Sequence, residues 1–304
     1  MSVDLAAWRA RLAPLGVWCT LDRLPAPDAA ALAQEIEGLG YSALWLPETT
    51  ARDPFASIAH LGAGTARLVL ATGIANIHHR HPGPMVQAAA TLAEQTGGRF
   101  VLAMGVSHAP LVEGIRGLDY GKPLATMRRY LDAMDASPYH GVPPAAPAPR
   151  LLGALGPKML ELAAERADGA HPYWTTPEHT AEARQILGPN KLLCVEQKVV
   201  LSTDREAVRR TAEKALGTYR SLPNYRNTWL RLGFTDDEID CLADRFLDAV
   251  VASGDLDAVT EHVRRHLDAG ADHVCIQPMT PDRPLTVDRE ALAALAPVTH
   301  PIER

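Results

Sequence analysis

The sequence predicts an α/β protein folded as a single (β/α)8 TIM barrel, and three observations carry this prediction. Eight short strand-like segments, several of them buried apolar runs, alternate with helical segments along the 304 residues. Runs of this kind are typical of parallel strands that are buried on both faces. A doubly wound open sheet, the competing fold, usually carries a Gly-x-Gly-x-x-Gly turn after its first strand, and residues 19–27 contain none. The closed barrel is therefore favoured.

The first half of the chain gives four strand–helix units. Asp28 is expected to cap the first helix and Gly40 to end it, while Asp53-Pro54 is expected to start the second. The third and fourth helices are predicted at Pro84–Glu94 and Tyr120–Ala136. The four strands are predicted at Leu15–Cys19, Ser42–Leu46, Leu68–Ala71 and Phe100–Val106.

The second half resumes the alternation after a proline-rich connection, Pro138–Pro149. A domain boundary there is an alternative, but a strand-like run follows at once, so the connection is interpreted as an extended loop within one domain, 1–304. Residues 223–252 depart from the rhythm and are predicted as a helical insertion between strands seven and eight. The remaining strands are predicted at Leu151–Ala154, Asp168–His171, Lys191–Leu201 and His273–Gln277, and the remaining helices from Gly156 and at Pro177–Leu187, Asp204–Leu216, Leu256–Ala269 and Asp288–Leu295.

Composition and charge restrict the class of function. Hydrophobic residues make up 47% of the chain and charged residues 22%, as in ordinary globular proteins. A net charge of -6 without an Arg/Lys-rich run argues against nucleic-acid binding. No apolar segment has the length of a signal peptide core or a membrane span, and the four cysteines form no Cys-x-x-Cys pair. We expect a cytoplasmic protein with free, buried thiols, no bound metal and no membrane partner.

The carboxyl ends of the strands are where a barrel of this kind places its active site. The third strand is interrupted there by Gly73, and glycine within a strand often marks a bulge or the close approach of a ligand. Each polar residue at these ends also has an ordinary interpretation, as a solvated loop or a satisfied core group. The residues found there are Glu48 and Thr49, Thr72 to His81, Ser107 and His108, Gly153–Lys158, His171, Tyr173, Trp174, Glu196, Gln197 and Gln277.

The segment Gly153–Lys158 has the features of an anion site. Two glycines allow close backbone approach, and Pro157 fixes the first turn of the following helix. The free amides at the helix start attract anions, and Lys158 adds a positive charge. An ordinary strand-to-helix turn is the alternative, but the fold favours phosphate binding.

Two other patterns are weaker. His78–His81 lacks a nearby acidic or thiol partner, so a positively charged rim for an anionic ligand is favoured over a metal site. Ser107-His108 lies in no Gly-x-Ser-x-Gly elbow, which gives a hydrolase triad little support.

Glu196 lies inside an apolar strand and should need a partner, such as Lys198 or a substrate.

Several segments together resemble the luciferase-like monooxygenase superfamily, especially its actinobacterial branch that uses the deazaflavin coenzyme F420. They are ATGIAN at Ala71–Asn76, GRFVLAMGVSH at Gly98–His108 and LGALGPKMLELAAERADGAHPY at Leu152–Tyr173. The resemblance implies a luciferase-like barrel, usually dimeric, with the deazaflavin at the carboxyl-terminal mouth. It also implies a non-prolyl cis peptide at Gly73–Ile74 and a phosphate loop at Gly153–Met159.

The expected function is that of an F420-dependent oxidoreductase moving a hydride between the deazaflavin and a small organic substrate. An FMN-dependent monooxygenase, a lyase and a cofactor-binding protein without turnover are the alternatives. Some relatives have Asp-His where this chain has Glu48-Thr49, and others have Glu in place of His108, so their acid/base roles do not transfer. His108 is the favoured acid/base residue, with Glu48 and Glu196 as alternatives. The expected cofactor contacts are Thr72, Gly73, Ile74, Asn76, Ser107, Gly153, Leu155, Gly156, Pro157, Lys158, Met159 and His171.

Overall fold

Eight parallel strands close into a barrel in the computed structural model, which describes residues 3–12, 14–297 and 302. The first barrel strand pairs with the second and also with the last, and the last pairs in turn with the seventh, so the ring is complete. The (β/α)8 prediction is confirmed. The ends of the predicted domain, 1 and 304, lie outside the described residues. The strands are β1 (Leu15–Trp18), β2 (Ala43–Leu46), β3 (Val69–Thr72), β4 (Ala75–Asn76), β5 (Phe100–Gly105), β6 (Arg150–Leu152), β7 (Gly169–Ala170), β8 (Leu192–Val200), β9 (Val251–Ser253), β10 (His273–Thr280) and β11 (Arg283–Val287).

Three of these strands lie outside the ring of eight. β4 continues the line of β3 after a break and pairs with β5. β9 adds a parallel partner to the upper part of β8, and β11 forms an antiparallel hairpin with β10. The apolar-run pattern did not predict β9 or β11, since β11 is largely exposed and reads RPLTV.

Helices follow the barrel strands and cover them with one apolar face each. In the helix Leu256–Asp268, the residues Val259, Val263 and Leu267 recur at intervals of four and are all buried. Proline stands in the first turn of many of these helices, where its missing N–H costs nothing. The helices are α1 (Leu5–Leu12), α2 (Ala26–Gly38), α3 (Pro54–Ala63), α4 (Pro82–Gln95), α5 (Pro123–Asp135), α6 (Pro157–Arg166), α7 (Pro177–Leu187), α8 (Arg205–Leu216), α9 (Pro223–Arg231), α10 (Asp236–Asp240), α11 (Asp244–Val250), α12 (Leu256–Asp268) and α13 (Arg289–Ala294).

Two predicted helix starts have different outcomes. Asp53 caps α3 as expected, accepting a hydrogen bond from the backbone N of Ala56 at 2.9 Å. The prediction for Asp28 was wrong, because α2 begins two residues earlier at Ala26 and Pro25 occupies the cap position. The prolines at 25 and 27 already fix the backbone there, so Asp28 falls in the first turn.

The predicted helical insertion lies between β8 and β10. It follows α8 and a 3-10 turn at Gly217–Ser221, and consists of α9, α10 and α11. Its helical path is interrupted between α10 and α11, where Leu242 adopts a positive φ of 51°. Large apolar side chains of the insertion, Trp229 and Phe246 among them, form a small core of their own with Trp174. The insertion is therefore anchored to the loop that follows β7.

The barrel interior is filled by side chains from alternate positions of the strands, including Trp45, Val101 and Leu151. Cys194 and Cys275 belong to this interior as free thiols, and Cys19 is buried as well, as expected from the sequence. The free thiol of Cys241 is exposed, so the expectation of burial does not hold for it. Within the described ranges, no helix is both long enough and apolar enough to cross a membrane.

Candidate active site

A cavity of about 270 Å³ opens at the carboxyl ends of the barrel strands. Its floor is formed by residues at the strand ends, and its sides by the segment after β5 and by the insertion. Of the fifteen expected acid/base and cofactor-contact residues, eleven line it: Glu48, Gly73, Ile74, Asn76, Ser107, His108, Gly153, Leu155, Gly156, Met159 and His171. Thr72, Pro157, Lys158 and Glu196 do not line it.

The floor is organised by the bulge between β3 and β4. The Gly73–Ile74 peptide is cis, as the resemblance implied. The indole Nε1 of Trp18 donates a hydrogen bond to the carbonyl of Gly73 at 2.8 Å. A Cβ on Gly105 would lie 2.2 Å from Cδ1 of Ile74, so only glycine at this position lets the Ile74 side chain pack there.

Thr72 belongs to the sheet rather than to the cavity. Its hydroxyl donates to the carbonyl of Ala103 at 2.6 Å and accepts from the backbone N of Ala103 at 3.0 Å. The side chain is fully buried and ties β3 to β5 just below the bulge. The expected cofactor contact of Thr72 is corrected accordingly.

The carboxylate of Glu48 is held by four neighbouring groups. It accepts from the backbone N of Asn76 at 2.7 Å and from both terminal nitrogens of Arg80 at 2.7 and 2.8 Å. His79 Nδ1 lies 3.3 Å away. These contacts fix the segment after the bulge and leave the carboxylate poorly placed for proton transfer. Arg80 also pairs with Asp53, so the expected positive rim is largely neutralised.

His108 lies at the side of the cavity, against the rings of Tyr219 and Tyr225 at centroid distances of 6.1 and 5.5 Å. Burial lowers the pKa of His108 to about 4, and a hydrogen bond from the imidazole to the side chain of Asn224 only partly opposes this effect. The pKa therefore lies below the near-neutral value of an unperturbed histidine. The imidazole is uncharged at pH 7 and can accept a proton.

His171 lines the cavity floor and has one ring nitrogen without a partner among the described residues. Its Nδ1 lies 2.9 Å from the carbonyl oxygen of Cys194, which can only accept, so Nδ1 carries the hydrogen. The ring stacks on Trp45 with centroids 4.5 Å apart. Its Nε2 is buried without a hydrogen-bond partner among the described residues. Burial lowers the pKa of His171 to about 4, so Nε2 is a lone-pair acceptor that a ligand donor could satisfy.

Glu196 lies behind the cavity in a fully buried ion pair. Lys198 Nζ is 2.7 Å from its carboxylate, which confirms the partner suggested by the sequence. The backbone N of Trp174 donates to the same carboxylate at 3.3 Å. The ammonium group also lies 3.6 Å from the ring centre of Tyr173, which does line the cavity. Burial raises the pKa of Glu196 and lowers that of Lys198 to about 8. These contacts show that the pair supports the residues behind the cavity. They correct the expectation that Glu196 acts as an acid/base residue.

The predicted phosphate loop lies at the rim, between β6 and α6. Lys158 is exposed in the first turn of α6 and is not one of the residues that line the cavity. The loop is instead held through the carbonyl of Leu155, which accepts from His179 Nε2 at 2.7 Å and from Arg231 at 3.2 Å. Sequence reasoning missed both of these residues, although Arg231 lies in the RLGF segment of the insertion.

Sequence reasoning also missed the aromatic side of the cavity. The rings of Tyr173, Tyr219 and Tyr225 line it, and each lies within 6.5 Å of the other two. Tyr173 was visible as a strand-end residue, and Tyr225 lies in the segment LPNY. Their convergence depends on the path of the insertion, which no local pattern specifies.

The model of the family described as luciferase-like monooxygenase matches residues 12–273. The chain belongs to this family. The match spans the first seven barrel strands and ends at the first residue of the last one.

Three similar proteins illustrate the relationship. A Mycobacterium tuberculosis protein, provisionally named a coenzyme F420-dependent oxidoreductase, is 26% identical over 83% of this chain and 89% of its own. The F420-dependent tetrahydromethanopterin reductase of Methanopyrus kandleri has the same fold, with a TM-score of 0.69, 18% identity and coverage of 93% and 97% of the two chains. The oxygenating constituent of 3,6-diketocamphane monooxygenase from Pseudomonas putida, solved with FMN, has a TM-score of 0.65 and 17% identity over 87% and 91%.

Proposed function

We propose that this protein is an F420-dependent oxidoreductase that moves a hydride between the deazaflavin and a small organic substrate. The observation that carries the proposal is the floor of the cavity, where the unpartnered Nε2 of His171 stands beside Gly73 and Ile74. The identity of 26% to a relative with an F420-dependent name supports the choice of cofactor.

The lining residues fit a flat, partly polar ring system. Gly73, Gly105 and Gly153 leave the floor without side chains, and Ile74 offers an apolar surface at its centre. A bound ring that carries an N–H or O–H group would satisfy His171 Nε2, which otherwise remains a buried acceptor without a donor. In this proposal Gly156 and Met159, at the start of α6, lie beside the phosphate of the cofactor tail.

When bound, the deazaflavin would supply the hydride acceptor or donor. With the deazaflavin bound as hydride acceptor, an alcohol substrate would lose a hydride from its hydroxyl-bearing carbon and a proton from its hydroxyl oxygen. The electron pair left on the oxygen would then form the C=O bond. The released proton needs an acceptor, and His108 is uncharged at the side of the cavity, so it would take that proton and pass it to water. In the reverse direction His108 would return a proton to the oxygen.

An FMN-dependent monooxygenase remains the alternative, because the same fold serves an FMN enzyme. The test is a titration of the purified protein with F420 and FMN side by side, followed by measurement of hydride transfer to F420 from a panel of alcohols. We expect F420 to bind more tightly than FMN. Tighter binding of FMN, or binding of neither, would refute the proposal.

A further inference from the structure

Four rings form one continuous side of the cavity, which we call the aromatic wall: His108, Tyr173, Tyr219 and Tyr225. The ring centroids of Tyr219 and Tyr225 are 5.1 Å apart, and the two ring planes are nearly perpendicular. The ring centroid of Tyr173 lies 5.8 Å from that of Tyr219. Tyr173 also reaches the floor, since its ring lies 5.2 Å from Trp18. A molecule bound between floor and wall would therefore contact aromatic faces and edges along its whole length.

The cavity offers no free charge to a bound molecule. Among the lining residues that the structure describes, Glu48 alone carries a formal charge at neutral pH, and Arg80 and Asn76 already bind its carboxylate. His108 and His171 are uncharged there. A charged molecule would lose its hydration in this site without gaining a counter-charge, which costs several kcal/mol in proteins.

One hydroxyl of the wall is unused. Tyr225 is only 6% exposed, and its hydroxyl makes no hydrogen bond within the described part of the chain. Other tyrosine hydroxyls at the cavity are engaged: Tyr173 donates to Gln277 at 3.3 Å, Tyr219 shares a hydrogen bond with Tyr173, and Tyr120 donates to the carbonyl of Ser107 at 3.0 Å. Because Tyr225 lines the cavity, its hydroxyl can donate to an oxygen atom of a molecule bound near His108.

We propose that the substrate is an uncharged molecule with an aromatic or similarly flat apolar body and one hydroxyl or carbonyl oxygen at the reacting carbon. The hydroxyl of Tyr225 binds that oxygen beside His108, and the rings of Tyr173 and Tyr219 bind the body. This inference rests on the proposed function, because it places the reacting carbon between the floor and His108.

Binding of four probes to the protein saturated with F420 tests the inference by calorimetry. Acetophenone has the proposed features, acetone lacks the aromatic body, para-acetylbenzoate adds a negative charge and ethylbenzene lacks the oxygen. Acetophenone should bind at least about tenfold more tightly than acetone or para-acetylbenzoate, because burial of a ring and avoidance of a buried charge each contribute more than about 1.4 kcal/mol.

Two variants separate the roles within the wall. Tyr225→Phe should weaken acetophenone binding about five- to tenfold and leave ethylbenzene binding unchanged, since one hydrogen bond is lost. Tyr219→Leu should weaken both. Tyr139→Phe, which removes a hydroxyl bonded to the carbonyl of Val142 outside the cavity, is the matched control and should change neither.

Equal affinity for acetophenone and para-acetylbenzoate, or an unchanged affinity of Tyr225→Phe for acetophenone, would overturn the inference. The F420 titration is a separate measurement. If F420 binds and acetophenone is not preferred, this inference alone fails. If F420 does not bind, the proposed function fails and this inference fails with it.

Discussion

Replacing Glu196 by glutamine is expected to destabilise the protein much more than it slows hydride transfer. The change removes the charge that faces Lys198 Nζ at 2.7 Å, in a place where both side chains are at most 1% exposed. Removing one partner of a buried ion pair typically costs about 3–5 kcal/mol. Because the amide oxygen can still accept from the lysine, and because Lys198 can lose its proton, we expect about 3 kcal/mol.

The pH dependence of this loss of stability follows from the pKa of Lys198. Burial already lowers this pKa to about 8, and the attraction of Glu196 is what keeps it from falling further. Without the carboxylate, the folded state at pH 7 must hold either an unpaired ammonium or a deprotonated lysine, whereas the unfolded state keeps its proton. The unfolded state then binds more protons than the folded state, so the stability of Glu196→Gln should rise with pH between about 7 and 10.

Urea denaturation followed by tryptophan fluorescence measures the effect, with kcat at saturating F420 measured in parallel. The double variant Glu196→Gln/Lys198→Met removes the stranded charge and should recover most of the lost free energy of unfolding. A Glu196→Gln protein of wild-type stability whose kcat has fallen about 100-fold or more would refute this reasoning and restore Glu196 as an acid/base residue.

Three further predictions concern the histidines and the cofactor tail. For alcohol oxidation, kcat/KM should show no inflection near pH 6.5 and should fall only as His108 is protonated near its pKa of about 4; an inflection near 6.5 in the pH profile would contradict the assignment. His108→Ala should lower kcat by about 10²–10⁴-fold while F420 affinity, measured by titration, stays within about twofold, and a joint loss would indicate a cofactor contact instead. His171→Phe keeps the stack on Trp45 but removes the acceptor, so it should weaken F420 binding about three- to tenfold. Lys158→Glu changes an exposed residue and should weaken F420 binding less than about fivefold. A larger effect of Lys158→Glu than of His171→Phe would shift cofactor recognition to Lys158.

The barrel could be predicted because its signals are local. A buried parallel strand is a short apolar run wherever it occurs, and a covering helix repeats its apolar positions every three or four residues. The elements that were missed lack these signals. The π-helical turn at Pro110–Ile115 exposes most of its residues, and β11 gains its place only by pairing with β10. Helix α1 spans only eight residues, too few for the repeat to stand out, and its Trp8 and Leu12 are buried.

The sequence predicted which residues lie near the site, but it did not predict which way their side chains face. Strand ends gave the correct neighbourhood, because the carboxyl ends of parallel strands converge at one face of a barrel. Which way a side chain faces depends on neighbours that are distant in sequence. Thr72 and Ile74 are two residues apart, but the bulge sends Ile74 to the cavity and leaves Thr72 bonded to Ala103. Glu48 is at the cavity edge, but its donors come from β4 and the segment after it.

His108 shows what this distance means for chemistry. In the sequence it is a polar residue after a strand, and its ordinary pKa suggests a group that titrates near pH 6.5. In the fold, Tyr219 and Tyr225 of a segment more than a hundred residues later pack against it and reduce its contact with water. The same two rings form half of the aromatic wall that we assign to the substrate. The segment that would select the substrate thus also keeps the proposed base uncharged, and a substitution that opens the wall to water should raise the pKa of His108 while it relaxes selectivity.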